Sequence, residues 1–274
     1  MNRVSQVFRK LAARNSSFAV NFIVRVNFYF RKINNPLIII LTPGKVGSSS
    51  VYKSLKREYK SVFHLHNFTV KSVERSISYN LNSNRKYAPL HLIVSKYLLK
   101  KIKNYQSNTY LICLIREPVS REVSSIFQNI EMHENALENN FLKIKNNAVL
   151  SKLKETLTDD KYLSQLDDWF KEQLYDNYGF DVFNFNIENG YFIQKNNKTH
   201  ILFMRMEDLK EYFEIAISEF LPFSNKKIIL RDENVASNKF YNHSYNEIKE
   251  RINLEKFKQS EYYTNSKLVK SFYK

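Results

Sequence analysis

A short segment near the start of the chain combines glycines, a lysine and hydroxyl side chains in the pattern of an anion-binding turn. Gly44 and Gly47, two of only four glycines, stand three residues apart with Lys45 between them. The apolar run 37–41 before the turn predicts a buried β-strand, and residues 51–57 after it predict a helix. Such strand–turn–helix units bind phosphate, because backbone N–H groups and the positive end of the helix dipole converge there. The predicted anion site comprises Gly44, Lys45, Val46, Gly47, Ser48, Ser49 and Ser50.

The turn differs from the nucleotide-binding loop of ATPases in the position of its lysine. In the GxxxxGK[ST] pattern of that loop the lysine follows the second glycine, whereas Lys45 precedes Gly47. The pattern therefore indicates a phosphate-like ligand but not ordinary ATP chemistry. A nucleotide kinase stays open as an alternative, although the sequence offers no convincing aspartate to hold its Mg²⁺.

A second set of candidate anion ligands follows the apolar run 109–115. Arg116 comes directly after this predicted strand, and Ser124 lies eight residues on, two turns into a helix that should begin near Pro118. A guanidinium can bind an anion through two hydrogen bonds, and a hydroxyl adds another donor. In the alternative interpretation, Arg116 caps the sheet edge and Ser124 is an ordinary surface serine.

The order of elements predicts the fold class. Strands at 37–41, 61–66, 109–115 and 199–204, with a further short one at 227–230, alternate with helices that include 70–80 and much of 135–178. This alternation is typical of an α/β fold with a central, mainly parallel sheet flanked by helices. Ligands of such sheets bind beyond the carboxyl ends of the strands. We therefore expect the turns after the four main strands to gather at one edge.

The spacing of three segments resembles that of the sulfotransferases that use 3′-phosphoadenosine 5′-phosphosulfate (PAPS). These are the turn 43–50, the segment 116–127 and the strand end 205–209, where Met206 replaces the aromatic residue common in the family. The resemblance covers about 36–220 and implies the sulfotransferase variety of the P-loop-containing nucleotide-hydrolase-like fold. It also implies PAPS as co-substrate and a reaction that needs no metal. The tail 238–273 resembles bacterial capsular polysaccharide synthesis proteins, which implies a carbohydrate acceptor, either anionic or a surface polysaccharide.

The resemblance also implies a role for each candidate residue. Lys45 would neutralise the bridging oxygen as the phosphate leaves, and the rest of the glycine turn would hold the 5′-phosphosulfate. Arg116 and Ser124 would bind the 3′-phosphate that distinguishes PAPS from ATP.

Two histidines are candidates for the base that accepts the acceptor proton. His64 and His66 stand two residues apart on a predicted strand and therefore share a face, and a histidine near its ordinary pKa accepts protons at neutral pH. The pair is similar to the paired histidines of uronyl 2-O-sulfotransferases, in which the second is the usual base, and this favours His66. In the alternative interpretation, both histidines have no catalytic role and only form hydrogen bonds with backbone groups at the sheet edge. Glu74 and Glu131 are reserve candidates.

Composition limits the partners. The formal net charge of +16 indicates an anionic partner, but the aromatic residues do not interleave with basic clusters, so we expect no nucleic acid. A non-enzymatic basic module that binds nucleic acid or membrane is the remaining alternative. The lone Cys113 lies in an apolar run, which excludes an intrachain disulfide and suits a reducing cytoplasm.

The domain organisation follows from the same patterns. Residues 1–34 form a basic, amphipathic extension, too polar to span a bilayer, that could lie on the inner membrane surface or pack on the protein. Residues 35–274 form one α/β domain with a helical insertion at about 135–180. Acceptor specificity should lie in this insertion and the tail. Trp169, Tyr175 and Tyr178 could stack on sugars, although core packing is the stronger expectation for Trp169.

Overall fold

The computed structural model describes residues 33, 36–82, 88–103, 105–128, 146–157, 160–187, 189–196, 198–221, 227–231, 242–251, 259 and 261–273. The expected N-terminal extension therefore lies outside the described residues except for Ile33, as do the start of the expected helical insertion, residues 135–145, and the reserve base Glu131.

A five-stranded sheet forms the centre of the fold. Its strands lie in the order β2-β1-β3-β5-β4. The first four of these pair in parallel and β4 pairs antiparallel with β5. The prediction of an α/β fold with a mainly parallel sheet is thus confirmed. The strands are β1 (Leu37–Leu41), β2 (Val62–Leu65), β3 (Thr109–Ile115), β4 (Tyr191–Asn196) and β5 (Thr199–Arg205).

Helices cover both faces of the sheet, because alternate residues of each central strand point to opposite sides. Leu37, Ile39 and Leu41 pack in one hydrophobic cluster, and Ile38 and Ile40 pack in another. The helices are α1 (Ser48–Glu58), α2 (Val70–Asn82), α3 (Leu90–Ile102), α4 (Pro118–Gln128), α5 (Asn146–Leu157), α6 (Asp160–Phe170), α7 (Leu209–Phe220), α8 (Asn242–Arg251), α9 (Glu261–Asn265) and α10 (Lys267–Phe272). No helix in the described parts of the chain is both long and apolar enough to cross a membrane.

The first cluster contains the lone cysteine. Cys113 is fully buried there, and this burial raises the pKa of its thiol well above the ordinary value. This burial agrees with its position in the apolar run of β3.

The prediction of a strand at residues 227–230 is wrong. This segment has no strand pairing; Ile228 packs into the second cluster, and the Arg231 N–H donates to the Ser54 hydroxyl of α1 at 2.9 Å. The segment therefore lies against a helix. The neighbour of β5 on the side away from β3 is β4, which the sequence patterns did not reveal. Helix α3 was also not predicted.

The position of β1 makes its carboxyl end a natural ligand site. The strand that follows β1 in the chain pairs on one side of it, and β3 pairs on the other. The chain thus reverses its direction of progress across the sheet at β1, and crevices at such switch points bind ligands in open α/β sheets.

Candidate functional site

The turn after β1 enters α1 through two residues with left-handed backbone conformation. Lys45 has φ 71° and Gly47, the N-cap of α1, has φ 76°. Such reversals in a tight turn favour a concave set of N–H groups that can hold an anion. No side chain caps the helix and no acidic residue lies in its first turn, so its N-terminus is electrostatically suited to a negative ligand.

The side chains of this turn divide into anchors and candidate ligands. Val46 is fully buried in the second cluster, so it anchors the turn and can offer a ligand only its backbone. Ser48 and Ser50 are also buried, whereas Ser49 is half-buried. Lys45 is half-buried, and its pKa is lowered by burial and by the charge of Arg121.

Two arginines, Arg116 after β3 and Arg121 in the first turn of α4, donate to the backbone of this turn. The Arg116 Nη1 donates to the Lys45 carbonyl at 3.4 Å, and the Arg121 Nε donates to the Gly44 carbonyl at 2.9 Å. The structure therefore brings Arg116 next to the glycine turn, as the parallel-sheet argument predicted. Arg121 was not predicted; its spacing of five residues from Arg116 is the only signal in the sequence.

Ser124 lies half-buried in the second turn of α4 and, among the described residues, does not hydrogen bond to Arg116. The start of this helix is fixed by Glu117. Its carboxylate accepts hydrogen bonds from the N–H groups of Val119, at 3.0 Å, and Ser120, at 2.7 Å. The helix is thus capped by the residue that follows Arg116, which holds the arginine at the mouth of the site.

The end of β5 packs against the same turn. The side chain of Met206 lies close to Gly47, where an added Cβ would sit 3.3 Å from the Met206 Cγ. Glu207 accepts a hydrogen bond from the Glu117 N–H at 2.9 Å, and Arg205 forms an ion pair with Asp208. This strand end therefore ties β5 to α4 and covers one side of the glycine turn.

Three tyrosines from the C-terminal helices complete this junction. The Arg116 Nη2 donates to the Tyr245 hydroxyl at 3.3 Å, the Tyr263 hydroxyl donates to Glu117 at 3.0 Å, and the Tyr273 hydroxyl donates to Glu207 at 3.1 Å. Burial and the Glu207 charge raise the pKa of Tyr273 well above its ordinary value, so it remains a donor. These contacts span 66 to 146 residues of chain, and no local pattern could have revealed them.

The two predicted histidines lie together at the end of β2. Their ring centroids are 5.0 Å apart. The His66 Nδ1 lies 2.8 Å from the Thr42 carbonyl, an acceptor only, so Nδ1 carries the hydrogen and Nε2 can accept a proton. Burial lowers the pKa of His66, and the charges of Lys45 and Arg121 lower it further.

His64 is less suited to proton transfer. Burial, with smaller contributions from His66 and His91, lowers its pKa to about 4. Its Nε2 is buried and has no hydrogen-bond partner among the described residues. His91, at the start of α3, has its ring centroid 5.5 Å from that of His66 and was not predicted. The reserve candidate Glu74 is exposed on α2.

Helix α6 and its continuation hold the backbone that follows His66. The Trp169 indole N–H donates to the His66 carbonyl at 2.8 Å, Gln173 accepts from the Phe68 N–H at 2.7 Å, and Asn177 donates to the Phe68 carbonyl at 3.3 Å. A π-helical turn, Lys171–Tyr175, lies between the first and last of these residues. Turns of this kind occur frequently at functional sites.

Two adjoining cavities open beside these residues. A pocket of about 310 Å³ is lined by Gly44, His66, Arg121 and Trp169, among others. A larger one of about 770 Å³ shares Gln165 and Trp169 with it. The glycine turn, a candidate base and two open cavities therefore lie together. Among the described residues, no group of three His, Cys, Asp or Glu side chains could hold a metal ion.

The C-terminal part of the chain matches a known family model. The model of the NKWYS family, whose description is "Putative capsular polysaccharide synthesis protein", matches residues 140–274. The match includes Trp169, β5 and the three tyrosines, but not the glycine turn or Arg116, and it suggests a role in capsular polysaccharide synthesis. No curated protein and no solved structure matches the chain.

Proposed function

We propose that the protein is a PAPS-dependent sulfotransferase that acts on a carbohydrate hydroxyl during the synthesis of a bacterial capsule or surface polysaccharide. One observation carries the proposal: Arg116 donates to the Lys45 carbonyl, so the two predicted anion sites lie at neighbouring strand ends. PAPS carries anionic groups at both its 5′ and 3′ positions. The P-loop-like sulfotransferase architecture is part of the same proposal and is supported by the strand order around β1.

The glycine turn would bind the 5′-phosphosulfate. The uncapped N-terminus of α1 supplies N–H donors, and Ser49 is the least buried of the three serines. Arg116, together with Ser124, would bind the 3′-phosphate. The Tyr245 hydroxyl beside the guanidinium would restrict its orientation.

The transfer itself needs a base on one side of the sulfur and a positive charge on the other. The acceptor oxygen forms a bond to sulfur as the bond from sulfur to the bridging phosphate oxygen breaks, and the acceptor proton passes to His66 Nε2. Lys45 neutralises the charge that develops on the leaving oxygen. Preorganised charges of this kind supply much of the catalysis in the related phosphoryl transfers.

His66 suits the base role better than His64. The Thr42 carbonyl fixes its tautomer with Nε2 as the acceptor, and its lowered pKa keeps it neutral at pH 7. His64, with a pKa of about 4 and a buried Nε2, is a weaker base and is less accessible to substrate.

Calorimetry with 3′-phosphoadenosine 5′-phosphate and with 5′-AMP tests the proposal. The bisphosphate should bind more tightly, and Arg116→Ala should reduce its affinity by roughly 10- to 100-fold, the value of a charged hydrogen bond, with little effect on 5′-AMP. Ser124→Ala should have a smaller effect in the same direction. Arg57→Ala, an exposed arginine of α1, is the matched control for loss of one charge.

Equal affinities for the two nucleotides would refute the role of Arg116 and Ser124. The activity is then tested with labelled PAPS and a panel of capsular and lipopolysaccharide fragments, where Lys45→Ala and His66→Ala should abolish transfer. Magnesium-dependent ATP turnover without sulfuryl transfer would instead support the kinase alternative.

A further inference from the structure

The larger of the two cavities has a lining that nothing described so far explains. It lies between the start of α2 and the helix formed by α6 and the π turn. Its volume of about 770 Å³ is within the range of ligand pockets, which is about 300–1,000 Å³. It joins the pocket beside His66 at Gln165 and Trp169. A chain-like ligand could therefore extend from the base into this cleft.

Trp169 forms the wall common to both cavities. Its indole N–H is engaged by the His66 carbonyl, and its ring also packs edge-on against Phe170, with centroids 5.0 Å apart. The ring is therefore held in one orientation and remains half-buried at the cavity surface. What it offers a ligand is an apolar aromatic face, which suits the C–H face of a sugar ring.

The charged residues of the cleft balance each other. Three are cationic and three are acidic: Lys71, Arg75, Lys171, Asp168, Glu172 and Asp176. Arg75 and Glu172 pair with each other at 2.6 Å. A site for a polyanion would be expected to be basic, particularly in a chain with a formal net charge of +16. Balanced donors and acceptors instead suit a ligand with many hydroxyl groups and no net charge.

We propose that this cleft binds an uncharged oligosaccharide segment of the acceptor, with the indole of Trp169 as its platform. The proposal rests on the proposed function and deepens it by naming the class of sugar. It also assigns a role to the π turn, which supplies Lys171 and Glu172 to the cleft wall. The segment beside His66 presents the hydroxyl to be sulfated, and the following sugars occupy the cleft.

Binding is tested first on a printed array of neutral and acidic bacterial surface oligosaccharides. The best-bound glycans are then titrated in solution. Trp169 is the only tryptophan of the chain, so tryptophan emission reports on the two adjoining cavities that this ring lines. We expect neutral glycans to bind and to shift the emission in a saturable way. Acidic glycans bound in preference to neutral ones, binding without a fluorescence change, or no glycan bound would each overturn the proposal.

Variants measured by calorimetry distinguish loss of the aromatic face of Trp169 from general disruption of the fold. Trp169→Ala should weaken glycan binding by roughly tenfold or more, whereas Trp169→Phe, which keeps an aromatic face but loses the N–H donor, should retain most of it. Asp176→Asn should also weaken binding, and the exposed Glu155→Gln is its control. Equal glycan affinity in wild type and Trp169→Ala would refute the platform.

Affinity for 3′-phosphoadenosine 5′-phosphate separates the two proposals. Asp176→Asn, at a residue that lines only the larger cavity, should leave it unchanged, which also shows that this variant is folded. Nucleotide binding without glycan binding would refute the glycan-binding role of the cleft and leave the sulfotransferase proposal standing. Glycan binding without nucleotide binding would refute the sulfotransferase proposal and leave the glycan-binding role standing.

Discussion

The strain at Lys45 can be separated experimentally from the charge of its side chain. Lys45 has φ 71°, a conformation that costs a residue with a Cβ about 1–2 kcal/mol and glycine almost nothing. Lys45→Ala and Lys45→Gly both remove the amine, but only the glycine also removes the strain. Because both variants lack the half-buried lysine chain, the comparison between them cancels its packing contribution.

The expected difference follows from two opposing terms. Relief of the left-handed strain stabilises Lys45→Gly over Lys45→Ala by about 1–2 kcal/mol, and the greater freedom of glycine in the unfolded chain offsets about 0.5–1 kcal/mol. We expect a net gain of about 0.5–1 kcal/mol in the free energy of unfolding, or about 1–3 °C in Tm for a chain of this size. Chemical denaturation and calorimetry measure both values.

Neighbouring glycines supply controls. At Gly44 an added Cβ has no heavy atom within 4 Å and φ is not left-handed, so Gly44→Ala should stabilise by about 0.5–1 kcal/mol through the lower freedom of the unfolded chain. At Gly47 φ is 76° and the Met206 Cγ would lie 3.3 Å from the new Cβ. Gly47→Ala should therefore lose about 1–2 kcal/mol.

Equal stability of Lys45→Ala and Lys45→Gly would show that the turn carries no strain at this residue. Sulfuryl transfer should be lost in both variants. Retained transfer in either one would remove Lys45 from the mechanism. A stabilised but inactive Lys45→Gly would indicate that the strain is tolerated because the lysine is needed there.

Two further predictions concern residues around the site. The pKa of His64 is about 4 in the folded protein against 6.5 for a free histidine, so the unfolded state binds more protons between these values and stability should fall by about 3 kcal/mol as the pH drops from 6.5 to 4. Burial also lowers the pKa of His66, so His64 is not the sole contributor to the pH dependence. The His64 share is therefore the difference in pH dependence between wild type and His64→Phe, measured by denaturation, and identical slopes would contradict it. Tyr245→Phe removes the hydroxyl beside Arg116 and should weaken binding of 3′-phosphoadenosine 5′-phosphate about fivefold in calorimetry, with 5′-AMP unaffected; an equal loss for both nucleotides would indicate general damage to the fold.

The parts of the site that the sequence predicts correctly are those set by local pattern and by the geometry of parallel sheets. The strand–turn–helix around Lys45 is read from consecutive residues. The position of Arg116 beside it follows because parallel strands end at the same edge. The proximity of His64 and His66 follows from the two-residue period of a strand. None of these inferences needs knowledge of how the distant parts of the chain pack.

The elements that were missed lack such local signals. In α3 the apolar residues Leu92, Ile93 and Val94 are consecutive, a pattern that does not separate helix from strand. The edge strand β4 is half-buried along most of its length and shows no clear alternation. The contact of Tyr263 with Glu117 depends on packing across 146 residues, and the sequence around neither residue indicates the other.

The π turn after α6 links the movement of this helix to that of the loop after β2. Four residues along an α-helix advance by about 400°, so side chains at that spacing drift around the axis by about 40° per step. A π turn rotates less per residue because its hydrogen bonds close over five residues. This offsets the drift, and it keeps Trp169, Gln173 and Asn177 in phase toward the loop after β2. The helix and that loop are thus mechanically coupled, so a ligand that displaces the helix also displaces the backbone of His66.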